Sequence, residues 1–491
     1  MLRNVTPESV GISSKDVLGF LKRYGAYNFS THSIIMARGE NIFAEMYYAP
    51  FNKDFKHRMY SVSKSFVGIA IGLCEQEGLI SLDDKMIKYF PQYIDESVNE
   101  NLKEQTIRDM LKMSTSMIET VSWFTNGTKD RTEVYFKYDT PRIPGTTYAY
   151  DSPGSYMLGV IVERVTGMPF LEYLKEKALK HAGFSEDSYA LKCPGGNSWS
   201  DSGVMCTSRD LLIFARFVMD KGYINGVNYL NSEFIEEAVK RQVDNDVTEN
   251  GRHFNTYGYG YQIWKTPNDG FAFIGMGDQF AICDPKTDFV FVINSDNQFT
   301  QNTRALLYHE LYNFIIPEFK NEPLDENKEA YDELIEYSST RKLMALSGEK
   351  YSKTQEKINN QTYKLDKNPM NIEFVRFSFE NEKGTLTYKN LQGEKKLYFK
   401  MCENEFFKFP EKNYSDMIGT FPQEGNMYDC ACSGAWTEEN KFKLKVQIID
   451  KYFGTICMTF GFKDERVEIY MTKNAEAFLN EYAGYASGKK I

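Results

Sequence analysis

Tyr60-Ser61-Val62-Ser63-Lys64-Ser65 sets a hydroxyl and an amine three residues apart, immediately before the apolar run Ser65 to Leu73. If that run is a helix, Ser61 stands at its amino terminus and Lys64 lies one turn on along the same face. The pair suits nucleophilic catalysis. A serine hydroxyl attacks a carbonyl once a base takes its proton, and a lysine serves as that base when desolvation leaves its amine neutral. Val62, Phe66 and Val67 supply apolar surroundings. Ser-x-x-Lys is also a common coincidence, and a serine at a helix start is commonly a cap.

The segment Pro144-Gly145-Thr146-Thr147-Tyr148-Ala149-Tyr150-Asp151-Ser152 leads into a second apolar stretch, Tyr156 to Val165, stopped by Thr166-Gly167. Between the two lie Leu79-Ile80-Ser81-Leu82-Asp83-Asp84-Lys85 and Thr106-Ile107-Arg108-Asp109-Met110-Leu111. In this order the segments resemble the class C β-lactamase and penicillin-binding-protein-like serine hydrolase family, with its related esterases and D-amino-acid peptidases, over the first two-thirds of the chain.

The resemblance implies that Ser-x-x-Lys is followed by Tyr-x-Asn, which puts Tyr150 on the family's tyrosine. Beside an ammonium its phenolate is favoured, and it would exchange protons with Ser61 and then with the leaving group. A core tyrosine with a bonded hydroxyl is the plainer alternative. Ser152 replaces the family's asparagine, so a shorter hydroxyl stands where a carboxamide would hold the substrate amide and the lysine. The family's third motif, Lys-Thr-Gly or His-x-Gly, is best matched by Gly275-Met276-Gly277-Asp278-Gln279. Gly275 then falls where a cation usually sits, and the carboxylate of a penicillin or a D-alanyl peptide loses its partner. Gly275 and Gly277 would let a substrate lie against the strand, while a backbone N–H near Asp278 joins that of Ser61 as an oxyanion hole. An ordinary glycine turn before a strand explains the same residues.

Other chemistries have less behind them. The histidines His32, His57, His181, His253 and His309 show no metal-binding spacing, and His57, next to Arg58, reads as exposed. No nucleophile elbow, phosphate-binding loop or dinucleotide fingerprint is evident. Cys74, Cys193, Cys206, Cys283, Cys402, Cys430, Cys432 and Cys457 read as free buried thiols, the close pair Cys430 and Cys432 as alternate strand positions. A net charge of −10 disfavours nucleic-acid binding. The amino terminus does not read as a secretory signal and no segment reads as membrane-spanning, so a cytoplasmic location is expected.

These residues need a scaffold. His32 to Arg38 and Ile42 to Tyr47 read as strands about a Gly39-Glu40-Asn41 turn, as do Gln279 to Cys283 and Phe289 to Asn294 about Asp284 to Asp288. The two apolar stretches read as buried helices, giving an α+β class: an antiparallel sheet flanked by helices in a β-lactamase/transpeptidase-like domain. Charged residues crowd Pro323 to Lys350, so the domain boundary is placed at 340, giving 1–340 and 341–491. Phe374 to Phe379, Phe442 to Ile448 and Val467 to Met471 alternate, which predicts a smaller all-β barrel or sandwich. Phe406, Phe407 and Phe409 are assigned to its core rather than to a lid.

The expected function is hydrolysis of a small ester, amide or peptide through a Ser61 acyl-enzyme, without a cofactor. Esterase and D-aminopeptidase or amidase are not separated, and ordinary β-lactamase activity is disfavoured by the missing cation. The rival class is an inactive penicillin-binding-like protein that binds peptidoglycan fragments or a partner. Oligomeric state is not legible.

Overall fold

Apolar strand sequences around a Gly39-Glu40 turn form the hairpin with which the first sheet begins. The computed structural model describes residues 2–117, 129–245, 257–412, 425–476 and 478–491. The chain divides into two units, Met1–Lys342 and Leu343–Ile491.

The first unit holds a sheet of β1 (Arg3–Asn4), β2 (Thr31–Arg38), β3 (Asn41–Tyr47), β4 (Trp264–Lys265), β5 (Phe271–Gly275), β6 (Gln279–Asp284) and β7 (Phe289–Ser295), in the order β1-β3-β2-β7-β6-β5-β4. Only β1–β3 is a parallel pair among these strands. The two outer parts of the sheet come from opposite ends of the unit and meet where β7 pairs with β2, Ile293 opposite Ile34. The described residues between 48 and 263 contribute no strand to this sheet and form a long excursion from it, which carries Ser61, Lys64, Tyr150 and Ser152. β5 does not stand out in the sequence because two of its five residues, Ala272 and Gly275, are weak strand formers; like β6 and β7 it is buried on both faces. Gly275 accordingly ends a strand rather than preceding one.

Helices cover both faces. α1 (Ser14–Ala26) packs on one face through Phe20 and Leu21, against Phe291 and Ile293. α2 (Val62–Gln76) and α3 (Ser152–Thr166) lie together in the excursion and are buried through most of their length. Gly167 ends α3 with φ 70°, a left-handed cap that glycine adopts without strain. α4 (Ser208–Met219) covers the opposite face, where the Ser208 and Ser33 hydroxyls lie 2.7 Å apart. α5 (Thr303–Phe314) returns to the α1 side through Leu307 and Leu311. Lys328–Ser339 forms the helix of the charged stretch. Among the described residues no helix is long and apolar enough to cross a membrane.

The second unit is a barrel rather than a sandwich. Its strands are β8 (Thr362–Leu365), β9 (Phe374–Glu380), β10 (Lys383–Asn390), β11 (Gly393–Met401), β12 (Glu405–Lys408), β13 (Asp429–Glu438), β14 (Lys441–Ile449), β15 (Phe453–Lys463), β16 (Arg466–Ala475) and β17 (Gly484–Lys490). Among the described residues nine of them form the ring β11-β10-β9-β8-β17-β16-β15-β14-β13, with β12 attached to β13. An odd ring of alternating strands must close on one parallel pair, and β11 meets β13 in parallel, Lys400 opposite Ser433. Inward positions such as Phe377, Phe399, Phe442 and Phe460 fill one part of the interior with edge-on rings.

Three expectations need correction. His57 is fully buried rather than exposed: it lies in a short strand paired with Cys206, and its ring stacks in a cluster with His32, Phe51 and Phe55. The cysteines are all free, but Cys402 is half-buried and Cys457 is exposed, the latter at an outward position of β15. Phe409 is in the barrel core, whereas Phe406 is 48% exposed because β12 lies outside the ring.

Candidate active site

Ser61 occupies the N-cap position of α2, yet its hydroxyl makes no capping bond. Its Oγ instead accepts a hydrogen bond of 2.9 Å from Lys64 Nζ. From His57 to Cys74 every residue but Ser61 is buried, so one hydroxyl reaches the surface from an otherwise sealed segment. The residue before it, Tyr60, has φ 47°, a left-handed backbone that a bulky side chain rarely adopts and that costs about 1–3 kcal/mol. The Tyr60 ring is held beneath the Arg58 guanidinium at 4.1 Å, so packing keeps the turn in place.

Lys64 is 1% exposed. Besides Ser61, its Nζ donates to the Asp201 carbonyl at 2.8 Å and lies 4.0 Å from Asp201 Oδ2. Tyr150 is half-buried and presents its ring to the amine, with Nζ 5.2 Å from the centroid. The same ring stacks with Trp264 of β4, centroids 5.6 Å apart. The structure thus brings Ser61, Lys64 and Tyr150 into one neighbourhood from two helix starts.

Asp151 follows Tyr150 and caps α3, accepting from Gly154 N at 2.9 Å and from the Thr115 hydroxyl at 2.7 Å. Burial pushes its carboxyl up to about 6, against the lowering effect of those bonds and of the Lys64 and Arg142 charges. Ser152, the first residue of α3, is half-buried. Gln262, which sequence reasoning missed, ties the helices together. Its side chain accepts from Ser155 Oγ at 2.7 Å and donates to Met110 O at 2.9 Å, while its carbonyl accepts from Ser65 Oγ at 2.6 Å.

Gly275 lies beside the nucleophile turn. A Cβ there would fall 2.3 Å from Met59 O and 3.3 Å from Ser61 N, so β5 approaches the turn closer than any side chain permits. Glycine at 275 is a packing requirement, and a lysine or histidine has no room on this backbone. Gly277 and Asp278 turn the β5–β6 hairpin with φ 76° and 68°. The Asp278 carboxylate is buried and accepts from Asn297 Nδ2 at 2.8 Å and the Thr303 hydroxyl at 2.9 Å, which locks the hairpin to α5. Its carboxyl is raised by burial, offset by those two bonds.

Asp201, Gln262 and Trp264 carry no local signal in the sequence; the fold alone gathers them at Lys64, Ser65 and Tyr150. His253 lies outside the described residues.

The profile of the Beta-lactamase family matches residues 21–311, more than half of the chain. The 6-aminohexanoate-dimer hydrolase of Paenarthrobacter ureafaciens is 27% identical over 281 residues, covering 53% of this chain and 71% of the relative. Penicillin-binding protein 4* of Bacillus subtilis is 21% identical over 336 residues, 58% of this chain and 71% of its own length. A solved structure described as a putative 6-aminohexanoate-dimer hydrolase from Bacillus anthracis superposes with a TM-score of 0.52 at 19% identity, over 63% of this chain and 85% of that one, a likeness of fold. A family profile that spans strands β2 to β7, both buried helices and the Ser61 turn leaves one conclusion: this chain belongs to the β-lactamase family of serine hydrolases.

Proposed function

We propose that the protein hydrolyses an uncharged ester or amide through an acyl-enzyme on Ser61. The observation that carries this reading is the Ser61 hydroxyl, the one solvent-reaching group of its segment, bonded to a lysine that is 1% exposed. In the first step Lys64, as the free amine, takes the Ser61 proton while Oγ bonds to the substrate carbonyl carbon. The C–O or C–N bond then breaks, and the leaving group receives a proton from the Lys64 ammonium through the Tyr150 hydroxyl. Water attacks the acyl-enzyme, and its proton returns along the same groups as Ser61 is regenerated. The Ser61 and Asp278 amides are the proposed oxyanion donors.

Gly275, Gly277 and Ser152 are proposed to line the substrate path. Without a side chain at 275, a substrate carboxylate finds no cation on β5, which supports neutral acyl groups over penicillins. The name of the Paenarthrobacter relative places 6-aminohexanoate dimer on the substrate panel beside short-chain esters.

A fluorophosphonate label and a panel of p-nitrophenyl esters, linear amides and nitrocefin test the reading. Ser61 should be labelled, Ser61→Ala should lose both label and turnover, and nitrocefin should be a poor substrate. Absence of labelling and of turnover across the panel would instead support the rival, a fold kept for binding peptidoglycan fragments or a partner.

A further inference from the structure

Lys64 has three N–H donors. Ser61 Oγ takes one at 2.9 Å and the Asp201 carbonyl a second at 2.8 Å. The Asp201 carboxylate lies 4.0 Å from the nitrogen, and the residue is 3% exposed. We propose that Asp201 is a positioning residue for Lys64, its carboxylate stabilising the ammonium that forms when Lys64 takes the Ser61 proton. The proposal rests on the nucleophile reading above.

The loop that carries Asp201 is fixed on several sides. Arg58 donates to Ser202 O and Ser202 Oγ, each at 3.1 Å, and its guanidinium lies 3.9 Å from the Trp199 ring. Ser200 Oγ donates to Tyr156 O of α3 at 3.0 Å. Gly159 permits that approach, since a Cβ there would fall 2.2 Å from the Ser200 side chain. A loop held this firmly on both sides keeps the Asp201 backbone beside the Lys64 nitrogen.

The other titratable and charged groups around the pair are accounted for. Tyr150 faces Lys64 with its ring. Asp151 feels the Lys64 charge and that of Arg142. Cys193 feels Asp201, Arg131 and Glu163, and Arg58 bonds the neighbouring Ser202. Among them Asp201 holds the carboxylate that forms an ion pair with Lys64.

The experiment follows kcat/KM and kcat against pH for Asp201→Asn, with Asp201→Ser in parallel because it removes the charge with less bulk; folding is checked by thermal melting. Loss of an opposite charge at this distance eases deprotonation of the amine, so the acid limb moves to lower pH by about one unit or more. At the plateau kcat falls about tenfold while KM stays within about twofold, the signature of an interaction realised as the proton moves. An acid limb coincident with the wild type, even with reduced kcat, gives Asp201 a packing role and overturns the proposal. Ser61→Ala serves as the separate control: if it still takes up the fluorophosphonate, the nucleophile reading fails, whatever the Asp201 variants do.

Discussion

Lys64 and Lys395 are both nearly sealed from water, at 1% and 6% exposure, and each lies beside a buried carboxylate. In the barrel, Lys395 forms a direct ion pair with Glu411 and donates also to Gln392 Oε1 and Pro410 O. Glu411 in turn accepts from Asn390 Nδ2 and the Tyr482 hydroxyl, and Tyr482 lies 2.7 Å from the Tyr388 hydroxyl. Each partner of Lys395 is itself held, so the amine has a single arrangement. Lys64 spends one donor on a hydroxyl that reaches solvent and stands farther from its carboxylate. Burial alone makes a lysine structural; a looser counter-ion and one accessible partner make it available for proton transfer.

The largest test exchanges the side chain for an apolar one of similar length. Lys64→Met should lower kcat/KM roughly a thousandfold or more, about 4 kcal/mol of transition-state stabilisation, read with the best ester of the panel. Lys395→Met should leave that rate unchanged but cost about 3–5 kcal/mol of stability in denaturant unfolding, because Glu411 keeps a buried charge without its cation. Replacing Glu411 with leucine as well should recover most of that loss. The contrast disappears if the Lys395 variant is as inactive as the Lys64 variant, or if it is as stable as the wild type.

Two glycines sharpen the comparison. A Cβ at Gly384 would fall 2.2 Å from the Phe399 ring in the barrel, as one at Gly159 would from Ser200. Each alanine variant should lose about 1–3 kcal/mol by overpacking. Only Gly159→Ala should also lower kcat, since only there does the displaced neighbour adjoin Asp201; equal effects on kcat would remove the distinction between the two regions.

The smallest effect concerns His57, whose burial lowers it to about 3. A base depressed in the fold is protonated first in the unfolded chain, so stability is complete above pH 6.5 and is lost as pH falls towards 3. His57→Phe should remove this acid-side loss, worth about 0.8 kcal/mol at pH 6 and more below. Melting curves of wild type and variant that shift in parallel between pH 7 and 5 would refute it.

Much of the scaffold was legible because the responsible signals are local. Alternation marked β9, β14 and β16, and the apolar stretches with their Gly167 stop marked α2 and α3. β5 escaped because Ala272 and Gly275 weaken a segment of only five residues. His57 was misjudged because its neighbour Arg58 suggests a surface, while its actual surroundings come from Phe51, His32 and Cys206 through tertiary packing. At the site, Ser-x-x-Lys is a one-turn spacing and so visible in the chain. Asp201 stands 137 residues from Lys64 in the bond they share, and no spacing rule reaches that far.

The contact between β5 and the Met59–Ser61 backbone also constrains how this protein can diversify. At position 275 the first carbon of any new side chain would meet a carbonyl of the nucleophile turn, so a single substitution there cannot recruit acidic substrates without disturbing the reactive serine. Adaptation towards such substrates must begin elsewhere on the cleft wall or first shift the turn, which makes that evolutionary path a multi-step one.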